Sequence, residues 1–284
     1  MTMEDKNSAP VKRTVLDYDD IVEMVPALKG RRGLVEWAMR ALDIDKVNWI
    51  HDRNFDTPGP RFCQGLLGDL DIKLRVDGEE ILDNLPQGAF VTISNHPFGA
   101  LDGITLIELI GSRRPEYKVM VNMILNHITA MRSNFIAVDQ SASDDPDKKA
   151  VSMKGIKEAI MQVRSGKPVG FFPAGAVGNY NRHLRFEDRE WREVVIRLIH
   201  QFNVPVIPIF FHGLNSWWFR ILGIISWQLR TFRLPAEVFR RKGHTLHISV
   251  GPVITPDEIK AHGSSLAELG DFLRQRTYSL RDRR

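Results

Sequence analysis

The sequence predicts an α/β fold, a central mixed sheet flanked by helices with an N-terminal helical extension. Two observations carry that prediction. From residue 70 onward, short β-rich runs alternate with longer helical runs, the pattern that layers helices on a sheet. Before that point the periodicity is helical, with Leu34, Trp37, Ala38, Ala41 and Leu42 at helical spacing.

Taken in order, residues 1–12 are polar without an apolar period and read as a disordered tail. Residues 13–57 form an N-terminal helical segment with helices expected over 17–24 and 32–42. The Pro/Gly punctuation Thr57-Pro58-Gly59-Pro60 opens the main domain, residues 58–256. Its strands are expected over 72–76, 89–94, 117–121, 135–138, 169–172, 204–211 and 245–250, and its helices over 102–110, 147–165 and 188–202. Residues 257–284 supply a C-terminal helix, 265–280, packed on the domain. No internal repeat or low-complexity segment interrupts this order.

Composition narrows the classes. Hydrophobic residues make up 43% and charged residues 26% of 284, which supports a substantial core. The single cysteine, Cys63, excludes an intramolecular disulfide and a Cys-rich zinc site and fits a reducing cytoplasm. The histidines show no metal-ligand spacing, so no metal site is expected. No apolar run approaches the roughly 18 to 20 residues that span a bilayer, and any membrane contact is expected to be peripheral. The net charge of +4 is uneven: acidic residues crowd the first third and basic residues gather after Arg182. That asymmetry predicts an anionic partner for the C-terminal half.

Two strand ends carry the chemistry. One runs into Ser94-Asn95-His96-Pro97-Phe98-Gly99-Ala100-Leu101-Asp102-Gly103, the other into Pro173-Ala174-Gly175-Ala176-Val177-Gly178. Ligands collect outside the carboxyl ends of strands in open α/β sheets, so both loops are expected to face one crevice. In the first loop Asp102 can receive the Nδ1–H of His96 and leave Nε2 free as a general base. The bland alternative for Asp102 is a helix cap. In the second, two glycines let backbone amides approach an anion closely. Beyond them, Trp217, Trp218, Phe219 and Trp227 interleave with Arg220, Arg230, Arg240, Arg241 and Lys242. Aromatic rings and basic groups together suit a lipid headgroup boundary; the alternative is a core aromatic cluster with a solvated basic face.

Asn95-His96 with Asp102 resembles the histidine–aspartate signature of the glycerolipid acyltransferases, which include the 1-acylglycerol-3-phosphate acyltransferases. Phe172-Pro173-Ala174-Gly175 resembles that family's Phe-Pro-Glu-Gly block, and Val204-Pro205-Val206-Ile207-Pro208-Ile209 its last, proline-containing block. The resemblance covers roughly residues 65 to 255. Five residues separate His96 from Asp102 where four are commoner, Ala174 stands where the family has glutamate, and Asp139 lies near the expected arginine. These departures, with Gly213-Leu214-Asn215-Ser216, resemble the bacterial hemolysin-like branch, which includes O-acyltransferases of ornithine and glycine lipids. Glutamate often follows Phe-Pro-Ala-Gly there; here it is Ala176.

The resemblance implies a glycerolipid acyltransferase-like fold, with His96 and Asp102 catalytic. It implies substrate binding at Asn95, Gly99, Pro173, Ala174, Gly175, Ala176, Asn215 and Ser216. The donor would be a fatty acyl thioester of acyl carrier protein or coenzyme A, the acceptor a lyso-lipid, and no cofactor is expected. Trp217, Trp218, Arg240, Arg241 and Lys242 are the expected contacts with an anionic membrane surface, on the cytoplasmic inner face of the cell membrane. Nucleic acid is not an expected partner. Lysophosphatidate acylation, hydrolysis by the same dyad, and an inactive lipid-binding role remain the alternatives.

Overall fold

The computed structural model describes residues 12–139, 146–180, 186–225, 230–231 and 233–282. The expected tail over 1–12, apart from Lys12, and Trp227, Phe232 and Arg182 lie outside the described residues. In chain order the first helices are α1 (Tyr18–Met24), α2 (Arg32–Ala41), α3 (Ile44–Asn54) and α4 (Pro60–Asp69). Then follow β1 (Lys73–Asp77), α5 (Glu79–Asp83), β2 (Val91–Ser94), α6 (Ala100–Gly111), β3 (Lys118–Asn122), β4 (Phe135–Val138), α7 (Pro146–Arg164) and β5 (Val169–Phe171). A short ribbon comes next, β6 (Asn179–Tyr180) with β7 (Phe186–Glu187), and then α8 (Glu193–Phe202), β8 (Val206–His212) and α9 (Trp217–Ile225). The chain closes with α10 (Leu234–Arg240), β9 (Thr245–Val250), α11 (Pro256–Ala261) and α12 (Leu266–Tyr278).

The seven strands expected from the sequence form one mixed sheet in the order β1-β9-β8-β2-β5-β3-β4. Every pairing is parallel except β8 with β9. The strand ends carrying His96 and Pro173 are therefore neighbours, because β2 lies between β8 and β5. Both faces of the sheet are covered. Phe62, Leu66 and Leu67 of α4 pack with Leu101, Ile107 and Ile110 of α6 on one side. Ala159 and Val163 of α7, Val195 and Ile199 of α8, and Leu269 and Leu273 of α12 fill the other. Double coverage explains why β2 and β5 are buried along their whole length, as near-continuous apolar strands of parallel sheets are.

Three elements depart from the sequence reading. The Pro/Gly punctuation at 57–60 separates two further helices, α3 and α4. Pro60 stands at the start of α4, where its missing N–H costs nothing and its fixed φ suits a helix. The helix expected from 188 begins only at Glu193, since the Arg192 N–H is drawn to the Pro173 carbonyl at 2.8 Å. Residues 188–192 become a loop that folds toward the sheet edge. The aromatic run at 217 is itself a helix, α9. Among the described residues no helix is long and apolar enough to cross a membrane.

Candidate active site

The site begins where β2 runs out. Ser94 is its last paired residue, opposite Ile209 of β8. Asn95 then extends the ladder with its side chain: Nδ2 donates to the Phe211 carbonyl at 2.9 Å, and Oδ1 accepts the Phe211 N–H at 2.7 Å. His96 is thus presented from a fixed point. The chain turns through Gly99, whose φ of +79° suits glycine and whose Cβ, if present, would stand 2.6 Å from Leu234.

Asp102 occupies the first turn of α6 with Gly99 as its N-cap. Its Oδ2 accepts the N–H groups of Phe98 and Gly99 at 2.9 and 3.0 Å and lies 2.9 Å from His96 Nδ1. The two readings of Asp102, helix-terminus residue and partner of histidine, are therefore both true and use one oxygen. Nδ1 faces the carboxylate at ion-pairing distance without the alignment of a hydrogen bond, which leaves Nε2 as the nitrogen not facing it. The ring of His96 packs on Phe172, centroids 4.1 Å apart, and its side chain keeps 17% exposure while that of Asp102 has none. Burial pushes the Asp102 carboxyl up, and the His96 partnership and the two backbone N–H groups pull against it.

The second loop sits beside the first. Pro173, Ala174 and Gly175 are buried and Ala176 is half-buried. Gly175 has φ +70° and donates its N–H to the Phe172 carbonyl at 2.8 Å. That amide closes a turn and does not serve an anion. Arg230, itself buried, clamps the far end of the loop by donating to the Gly178 and Val177 carbonyls at 2.8 and 3.3 Å.

Asn215 is 3% exposed, and neither polar atom of its amide has a hydrogen-bond partner among the described residues. Buried amides are normally satisfied, and that of Asn215 stands out as unmet on both atoms. Ser216 is placed differently. Its hydroxyl and N–H are both engaged by the Glu237 carboxylate, at 2.5 and 2.8 Å, at the start of α9.

The membrane-facing expectations divide. Trp217 and Trp218 are 51% and 58% exposed and stack at 4.2 Å, and Arg240 and Lys242 are exposed. Arg241 is drawn inward instead. It lies 4.4 Å over the Phe98 ring and donates to the Leu214 carbonyl. Burial lowers its guanidinium from the ordinary value, with Asp102 among the charges that oppose this. A run of three basic residues hid the one whose neighbour is an aromatic ring of the site.

Asp188 is the residue that sequence reasoning missed. It comes from the loop after β7 and accepts the His96 backbone N–H on Oδ1 at 3.4 Å. Burial raises its carboxyl, while Tyr278 and His96 favour its charge and Asp102 opposes it. The sequence carried one signal for it, an acid within reach of the second loop, and the helix reading of 188–202 concealed that. Asp139 and Arg132 do not fill this place. Asp139 follows β4, three strands from β2 and so about 14 Å away at about 4.8 Å per strand. Arg132 is engaged with the Asn126 carbonyl. An open cleft of about 330 Å³, lined by Glu187, Asp271, Arg274, Gln275, Tyr278 and Arg281, adjoins Asp188 through Tyr278. Among the described residues no group of three or more His, Cys, Asp or Glu side chains is arranged to hold a metal.

A buried carboxylate facing one nitrogen of a histidine is an arrangement that general-base chemistry can use. Residues 21–283 match the family model described as "Acyltransferase", and the chain belongs to that family. It is similar to a lyso-glycine lipid O-acyltransferase of Bacteroides thetaiotaomicron, 25% identical over 87% of this chain and 89% of that one. A second lyso-glycine lipid O-acyltransferase, from Phocaeicola vulgatus, is 23% identical over 94% and 95%. Among solved structures, the 1-acyl-sn-glycerophosphate acyltransferase PlsC of Thermotoga maritima aligns with a TM-score of 0.46 at 11% identity, covering 78% of this chain and 81% of that one.

Proposed function

We propose that this acyltransferase moves a fatty acyl group from a thioester of acyl carrier protein or coenzyme A to a hydroxyl of an amino-acid-containing lyso-lipid. The observation that carries the reading is the His96–Asp102 pair with Nε2 left free. Nε2 takes the proton of the acceptor hydroxyl as its oxygen attacks the thioester carbonyl. The tetrahedral intermediate collapses with cleavage of the C–S bond, and the imidazolium returns the proton to the departing sulfur. Asp102 holds the ring and offsets its transient charge. The buried Asn215 amide is the donor nearest in kind to what the developing oxyanion needs.

The acceptor is inferred from three supports. Both curated relatives are named as acting on lyso-glycine lipid. The buried Ala174 offers a methyl group where a carboxylate would accept a hydrogen bond from a polar head. Asp188 places a second acid against His96, which disfavours a doubly charged phosphate. Asp139, the acid near the expected arginine, follows a strand three places from β2. The alternative acceptor, lysophosphatidate, is favoured by Arg241 beside Phe98, which would supply a cation. A lipid surface, the inner face of the cell membrane in this reading, is supported by Trp217, Trp218, Ile224 and Ile225, all more than half exposed on one helix. Side-by-side assays with N-acyl-glycine, N-acyl-ornithine and lysophosphatidate acceptors test the assignment. Transfer to an N-acyl amino acid is expected; a clear preference for lysophosphatidate overturns it.

A further inference from the structure

Arg241 is a half-buried cation beside the dyad loop. Its guanidinium lies 4.4 Å over the ring of Phe98 and donates to the Leu214 carbonyl. Phe98 comes two residues after His96, and its N–H is one of the two that Asp102 accepts. The acid one helical turn before Arg241 is Glu237, but both of its oxygens are taken by Ser216. No carboxylate of the described residues lies within ion-pair distance of Arg241; Glu237 and Asp102 act on it only through space. Arg114 and Arg276, half-buried like it, each hold a carboxylate. Arg230 holds none either, but it is 5% exposed and engaged with two loop carbonyls. Arg241 keeps part of its surface open to solvent, so a ligand can reach it. A charge drawn out of water without a counter-ion is costly, and an anion arriving at this place offsets that cost.

We propose that Arg241 is an acceptor-binding residue whose guanidinium holds the α-carboxylate of the acceptor's amino-acid head. The proposal rests on the acceptor reading given above. N-acylation removes the charge of an amino acid's α-amine and leaves its carboxylate, so this group is common to N-acyl-glycine and N-acyl-ornithine heads. A guanidinium meets a carboxylate with two parallel N–H donors, and the Phe98 ring fixes the plane of that fork. Asp102 and Asp188 both lie against His96, so an anionic head near the base needs a cation of its own. The Phe98 ring and the base belong to one loop. A head seated on Arg241 is therefore held at a fixed offset from His96.

The test compares an N-acyl-glycine lyso-lipid with its methyl ester, which lacks the charge, on the full chain. The wild type is expected to favour the acid by roughly 10- to 100-fold in kcat/KM, the worth of a hydrogen bond to a charged group. Arg241→Gln keeps an N–H for the Leu214 carbonyl, and Arg241→Met keeps packing on Phe98; both remove the charge. The acid preference should collapse toward unity in each, chiefly through the acceptor KM, and a thermal midpoint shows that the fold is retained. Referring each variant's preference to that of the wild type cancels any difference in how the two acceptors enter vesicles. A purely structural role would lower turnover of both acceptors alike and leave the preference intact. That result in either folded variant overturns the proposal, as does a wild type that acylates acid and ester equally; the acceptor reading survives both. Acylation of lysophosphatidate in place of both N-acyl-glycine and N-acyl-ornithine, read from the wild type alone, overturns the acceptor reading and this proposal with it.

Discussion

The loop after β2 and the helix after β8 leave the same edge of the sheet from adjacent parallel strands, and they treat water in opposite ways. In the first, Asn95, His96, Gly99 and Asp102 are tied by backbone and side-chain hydrogen bonds, and Asp102 is wholly enclosed. In the second, Trp217 and Trp218 stack in the open and Ile224 and Ile225 are 62% and 69% exposed. One region fixes the loop that carries His96 by hydrogen bonds. The other leaves large apolar side chains in contact with solvent, which a free-standing surface has no reason to do. The pairing sets a fixed, enclosed loop beside an open apolar helix on the neighbouring strand.

Removing the base is the largest way to break this contrast. His96→Ala should lower acyl transfer by on the order of 10² to 10⁴, with a thermal midpoint close to wild type because the ring lies at the site and not in either core. Near-normal turnover in a transfer assay would end the mechanism. Asp102→Asn should cost less than that and is the cleaner probe. One oxygen of Asp102 makes its contacts with Phe98, Gly99 and His96, so the Asn carbonyl can keep all three and only the charge is lost. Asp102→Ala should lose activity and thermal stability together. A fully active Asp102→Asn beside an unstable Asp102→Ala would reduce the residue to a helix cap.

Changes on the second region should be felt at lipid and not in the fold. Trp217→Ser combined with Trp218→Ser should weaken binding to anionic vesicles by about tenfold or more, since burying one such side chain is worth roughly 1.5 to 3 kcal/mol. Arg240→Gln with Lys242→Gln should flatten the salt dependence of that binding, because exposed charge is screened over about 10 Å at 0.1 M. Equal binding to neutral vesicles at high salt would show that basic residues are no part of the anchor.

The smallest expected effect lies in the N-terminal segment. His51 is buried with Nδ1 at 2.8 Å from the Arg13 carbonyl, and burial lowers its pKa from 6.5. The unfolded segment then binds more protons than the folded one between the lowered value and about 6.5, so stability should fall as pH drops below about 6.5. Hydrogen exchange over residues 13–57 at pH 7.5 and 5.5 should show the loosening, and His51→Gln should abolish the difference.

Much of the sheet was readable, because apolar strand runs bounded by turns are a local signal. The dyad was readable for the same reason: five residues of one loop separate His96 from Asp102. Asp188 was not, because it reaches His96 across 92 residues of chain and lies in a segment whose composition suits a helix. What overrides that propensity is the Arg192 N–H meeting the Pro173 carbonyl, a tertiary contact that no window of sequence contains. The setting of Arg241 is hidden for a related reason. Charge is visible in a sequence, but the ring it stacks on lies more than a hundred residues away. Pro60 reads locally as a break in the chain, and in the fold it is the first residue of a core helix.

Asn95 makes the last rung of the β2–β8 ladder out of an amide side chain, and that ties the fate of the base to a strand far away in sequence. The rung needs one donor and one acceptor at a fixed place on Phe211. A one-residue insertion or deletion inside β8 would move that peptide group out of register and release His96, although the insertion touches neither loop. The Asn95–Phe211 rung therefore closes β8 to length change. In any relative of altered β8 length, the base must be anchored in some other way.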